Sequence, residues 1–241
     1  MSTPDPDIMH KFMGTLEASY NDLGPVGCCD LIDHRLLSPD PLISELVFSM
    51  LVWESSIEHA LRAVETIESG LIDLNELRVC TPEELVSIFP ARYPRSLERC
   101  QRLIGVLNTI FRDQNSLSLT HLRDMNKKDV VEYLNSIEGI TPFVSSRVIL
   151  LGLGWHAFPI DDWLTKMLAK EGITDPSLDI TQQTLRIERM VRATDALRYY
   201  TLIEHWASDL RLAKTTGSKT TTPKSAQAKS VNSKASTKGS S

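Results

Sequence analysis

No stretch of this chain approaches the roughly 18 consecutive apolar residues that a membrane-spanning helix requires. The polar, acidic start from Met1 to Asp7 lacks the basic-then-apolar order of a secretory signal, so residence in the cytosol, with no membrane partner, is the expectation. Cysteine is scarce: Cys28, Cys29, Cys80 and Cys100 include no CxxC spacing, which argues against a structural zinc or a disulfide framework and for reduced, mostly buried thiols. His156 and His205 show no paired metal-ligand spacing, so no metal is expected. Sustained period-2 alternation is also missing, whereas apolar residues recur at spacings of three and four, and this pattern predicts an all-α fold.

Acidic residues are missing from Ala213 onward, where the composition turns to Lys, Ser, Thr and Ala with Lys214, Lys219, Lys224, Lys229, Lys234 and Lys238. Residues 213–241 read as a solvated, disordered tail, and residues 1–212 as the helical body. Without the tail's six lysines, 20 of the 26 basic residues face 31 acidic ones, so the body carries a formal charge of −11 beneath a whole-chain value of −5. Such a body repels a phosphate backbone unless its basic residues gather on one face. The tail would supply sequence-independent, salt-sensitive attraction, or serve as a plain solubilising extension.

Punctuation marks out the helices. Asp40-Pro41 caps and opens a helix through Trp53, and Thr81-Pro82-Glu83-Glu84 carries a cap, a first-turn proline and a capping-box glutamate. Apolar stripes predict helices over 93–111, 126–136 with Asn126 as cap, and 143–153. Asp161 and Asp162 open another, and two more are expected over 181–193 and 195–212.

The stretch from Tyr133 to Ser146 reads as helix, tight turn, helix, with the turn over 137–143. Such a turn can present backbone N–H groups to a phosphate through Gly139, Ile140 and Thr141, or simply connect two helices with glycine supplying a left-handed conformation. Gly154-Trp155 and Phe158-Pro159-Ile160-Asp161 follow.

Together these motifs resemble the endonuclease III branch of the helix-hairpin-helix DNA glycosylases. The match runs without gaps from hairpin to aspartate, and residues 40–210 are similar more loosely. The resemblance implies a two-lobed helical glycosylase fold, one lobe from the middle of the chain and one from its ends, with DNA as partner and a place in the cytoplasm, nucleoid or nucleus. It puts Phe143 where bifunctional members carry the amine nucleophile, so Schiff-base lyase chemistry is not expected. Thr141 replaces the hairpin's second glycine, and because no cysteine follows Cys100, no iron–sulfur cofactor is expected.

By the same resemblance Asp161 is the carboxylate that stabilises the sugar cation as a damaged or mismatched base departs. Asp162 is its rival, since Asp161-Asp162-Trp163-Leu164 also resembles the Asp-Asp-aromatic-Leu run of alkylpurine glycosylases. Glu54, Phe143 and Trp163 are the candidate base pocket. Each has a plainer role available: N-cap for Asp161, solvated helix end for Glu54, core for the aromatics. A non-catalytic descendant that binds DNA or a protein is the alternative to base release. The direction of the Asp161 carboxylate separates them, an open cleft favouring catalysis and burial under a salt bridge favouring the structural role.

Overall fold

A helix that is apolar on every side must be surrounded by others, and Pro41–Val52 (α3) is one: Leu42 to Val52 are all buried, including Ser44, Glu45 and Ser49. The computed structural model describes residues 6–20, 22–32 and 38–216, apart from the side chains of 6, 28, 29 and 214–216. Around α3 stand α1 (Pro6–Tyr20), α2 (Cys28–Leu31), α4 (Ile57–Gly70), α5 (Leu74–Val79), α6 (Pro82–Ile88) and α7 (Ser96–Gln114). A 3₁₀ turn over Thr120–Asp124 leads to α8 (Lys127–Ser136) and α9 (Pro142–Arg147), and the body closes with α10 (Asp162–Lys170), α11 (Ile180–Met190) and α12 (Ala196–Thr216). Among the described residues there is no strand, as the spacing of apolar residues predicts, and no helix long and apolar enough to cross a membrane.

The caps form as the sequence predicts. Asp40 accepts from the Leu42 N–H at 2.9 Å, and its second oxygen takes the Leu119 N–H at 2.6 Å, pinning the start of α3 to the loop before α8. Thr81 and Glu84 close a reciprocal capping box on α6, and Asn126 caps α8. The helix expected over 143–153 changes character midway. After Arg147 the chain widens into a π-helical turn over Val148–Gly152, where the Leu153 N–H reaches back to the Val148 carbonyl at 3.1 Å. Gly152 faces α3 there, and a Cβ would stand 2.8 Å from Leu42 Cδ2.

α3 packs against α2, α4, α7, α9 and the π turn, while α5 and α6 lie on α7. The sequence pattern gave no sign of α1, which packs along α12, so the first and last described helices lie together. Phe12 meets Trp206 edge-on at 5.2 Å, and Tyr20 donates to Asp209 at 2.8 Å. α12 runs past the expected boundary at 212 to Thr216, with Ala213 buried. The rest of the expected tail, residues 217–241, lies outside the described residues.

Candidate active site

The hairpin is the turn between α8 and α9. Gly139 takes φ +101°, a left-handed conformation, with Ile140 N–H closing on the Ile137 carbonyl at 3.2 Å. The turn rests on α7, since a Cβ at Gly139 would lie 3.1 Å from Val106 Cγ2 and 3.3 Å from the Arg102 carbonyl. Thr141 is the N-cap of α9, and its hydroxyl accepts from the Val144 N–H at 3.3 Å. Its polar atom is therefore turned inward on the helix. Phe143, expected at the base pocket, is instead a core residue, 2% exposed, lying 5.9 Å from the Arg147 guanidinium. Its place on the inner side of a six-residue helix pressed on α3 removes it from any opening.

Arg102 of α7 ties the hairpin to the end of α3. Its guanidinium donates to the Gly139 carbonyl at 3.4 Å and lies 4.9 Å from the Trp53 ring centroid. Arg95 faces the same ring at 5.3 Å, and Glu98 pairs with Arg95 at 3.0 Å and with Arg102 at 2.9 Å. Fully buried Arg99 donates to the carbonyls of Met50 and Trp53, fixing the end of α3 from beneath. An open groove of about 530 Å³ runs between α7 and the turn, lined by Glu98, Gln101, Arg102, Gly105, Thr109, Glu138 and Gly139. Arg95 and Arg102 thus stand on one face around the Trp53 ring, both paired with Glu98, and the sequence reading missed them because they are spread over a loop and a helix.

Beyond Trp53 the chain turns through Glu54, a non-glycine residue at φ +51°. The Glu54 N–H donates to Asp161 Oδ2 at 3.2 Å, across 107 positions of sequence. Burial, then the nearby Asp161 charge, pushes the half-buried Glu54 carboxyl above its ordinary pKa. Asp161 is the N-cap of α10: its Oδ1 accepts from the Leu164 N–H at 2.7 Å, and its side chain is wholly buried. Oδ2 also pairs with Arg211, which donates to the Ser55 carbonyl as well and lies 4.5 Å from the Trp163 ring centroid. The carboxylate is thus buried under a salt bridge, the arrangement expected of the structural role. Asp162 is exposed and lines a separate groove of about 290 Å³ with Lys166, Leu178 and Ile180. The base-pocket candidates Glu54 and half-buried Trp163 therefore meet around Asp161, while Phe143 does not.

Arg211, the partner of Asp161, is the residue of this cluster that sequence reasoning passed over. A signal was present, because Tyr200, Glu204 and Arg211 recur at spacings of four and seven on one helical face. Cys80 is a half-exposed free thiol and Cys100 a buried one, its pKa pushed up to about 12 by burial, while the side chains of Cys28 and Cys29 lie outside the described residues. Among the described residues no three His, Cys, Asp or Glu side chains gather as a metal site.

No family model matches the sequence, and no curated protein matches it closely enough to be called a relative. Solved structures do match the fold. An endonuclease III trapped covalently on DNA superimposes with a TM-score of 0.62 at 9% identity, covering 84% of this chain and 85% of its own. The 3-methyladenine DNA glycosylase of H. pylori, bound to 1,N6-ethenoadenine, gives 0.59 at 12% identity, covering 88% and 99% respectively. The 8-oxoguanine glycosylase/lyase of Clostridium acetobutylicum, in complex with double-stranded DNA, gives 0.56 at 16%, covering 85% and 70%. With a hairpin between α8 and α9, an aspartate capping α10 and these neighbours, the chain has the fold of the helix-hairpin-helix DNA glycosylase superfamily.

Proposed function

We propose that this chain is a monofunctional DNA N-glycosylase of base-excision repair, hydrolysing the bond between a damaged or mismatched base and its sugar. The observation that carries the reading is the continuous run of contacts from the hairpin to the aspartate: Gly139 to Arg102, Arg102 to Trp53, and Glu54 to Asp161. A duplex held by the turn and by Arg95 and Arg102 would bring an extruded nucleotide to Asp161. There a fixed anion in a water-poor site stabilises the positive charge that grows on the sugar as the base leaves. Trp163 offers a face for the base, with the Arg211 guanidinium 4.5 Å from its ring centroid. Phenylalanine at position 143 supplies no amine nucleophile, so strand cleavage through a Schiff base is not part of the proposed reaction, and borohydride should trap no adduct on abasic DNA. Neither a metal nor an iron–sulfur cluster enters the proposed chemistry.

A second reading, a non-catalytic descendant that only binds DNA or a protein, is favoured by one specific observation: Arg211 occupies the very oxygen of Asp161 that the sugar would need. The two are separated by incubating the full chain with duplexes carrying alkylated, deaminated, oxidised or mismatched bases. Base release that falls on the order of 100-fold or more in Asp161→Asn, with DNA affinity retained, supports the enzyme. Loss in Asp162→Asn instead transfers the role to the neighbour, and no release from any duplex leaves the binding protein.

A further inference from the structure

Arg211 stands between two carboxylates. It is paired with Asp161 Oδ2, while its Nη1 lies 3.9 Å from Glu204 Oε1. That oxygen is buried and has no hydrogen-bond partner, in a residue 1% exposed. Its twin Oε2 is occupied by the Tyr200 hydroxyl at 2.8 Å. A buried carboxylate oxygen without a hydrogen bond is an expensive group to leave unsatisfied, and the nearest cation beyond fully engaged Arg147 is Arg211. A modest rotation of the Arg211 side chain would satisfy it.

We propose that Arg211 is a two-position residue controlling Asp161: in the free protein it is the counter-ion of Asp161, and in the working complex it shifts to Glu204 Oε1 and yields Asp161 to the cationic sugar. The inference rests on the base-releasing reading. Its physical logic is exchange of one cation for another. A guanidinium already neutralises the buried carboxylate, so no uncompensated charge is stored while the site is empty. A neutral sugar has no means of displacing it, whereas a ring acquiring positive charge does. Glu204 lowers the cost of that displacement by offering Arg211 a place that is already desolvated. Arg211 acts through Asp161 and is a positioning residue.

The test uses two duplexes that differ in one charge, one carrying a pyrrolidine abasic analogue with a cationic ring nitrogen and one a neutral tetrahydrofuran analogue. The measured quantity is the ratio of their affinities for the full chain. Arg211→Gln should raise the preference for the cationic duplex by about tenfold, because the competing cation is gone while Asp161 remains. Arg211→Lys should stay near the unmodified protein, Glu204→Gln should lower the preference, and adding Asp161→Asn to Arg211→Gln should erase it. Should Arg211→Gln fold poorly, the unmodified protein gives an independent reading: the Arg211 Nε–H NMR signal should move on adding the cationic duplex and not the neutral one. A preference that Asp161→Asn abolishes but Arg211→Gln leaves unchanged overturns the two-position role and spares the function. No preference in any variant means that Asp161 never meets the sugar, and both fall.

Discussion

Two arginines share Glu204, and they live very differently. Arg147 is wholly enclosed, donating to Ser49 at 3.1 Å, to Tyr200 at 2.6 Å and to the Val26 carbonyl at 3.0 Å, with Glu45 at 3.4 Å and Glu204 at 4.0 Å. Although burial alone works against its charged form, Tyr200, Glu45 and Glu204 more than offset it and hold its pKa above the ordinary value. Arg211, at the edge, is 10% exposed. The interior ion is fixed by α3, α9 and α12 at once, so it specifies how those helices pack. The peripheral one reaches the site from the last turns of α12, where it touches the Ser55 carbonyl, Asp161 and the Trp163 ring. Burial of an ion pair therefore does not decide its purpose. What decides is whether every donor and acceptor around it is already spoken for.

The largest effect should come from the interior member. Arg147→Met leaves Glu45 buried without its cation and Glu204 with Arg211 alone at 3.9 Å, a loss of about 3–5 kcal/mol, which denaturant melts would read as a chain close to unfolding at ambient temperature. Arg211→Met should cost less, about 2 kcal/mol, because Asp161 keeps the backbone N–H groups of Leu164 and Glu54. Equal losses would erase the distinction between a packing ion and an exchangeable one.

That distinction was beyond the sequence, although much else was legible in it. Helix caps and apolar stripes are local, so Asp40, the Thr81–Glu84 box and Asn126 could be read directly. The hairpin and the Asp161 cap lay in one ungapped block, and the expectation of the fold followed from it. The inward turn of Phe143 depends on α3 passing behind α9, and the closing of Asp161 depends on a residue 50 positions later. Neither has a local signature. α1 went unread for a related reason: its apolar face is modest, and what completes it is α12 at the other end of the chain.

The smallest expected effect concerns Glu54, the carboxyl that sits between the two cases, half-buried and beside Asp161. Its folded-state pKa is raised, by burial first and by the Asp161 charge second, with Arg211 and Arg95 pulling partly the other way. For an acid with a raised folded value, the folded protein holds the proton more tightly than the unfolded chain does. The associated stability is fully present below the unfolded value of about 4.3 and is lost as pH rises through the folded one. Glu54→Gln stays neutral throughout and keeps the backbone N–H that Asp161 accepts. The Tm of the variant should therefore match the unmodified protein near pH 4 and exceed it toward pH 7, by about 1–2 °C given the solvent screening of a half-exposed group. A difference that stays flat across that range would mean that Glu54 is solvated like any surface carboxylate.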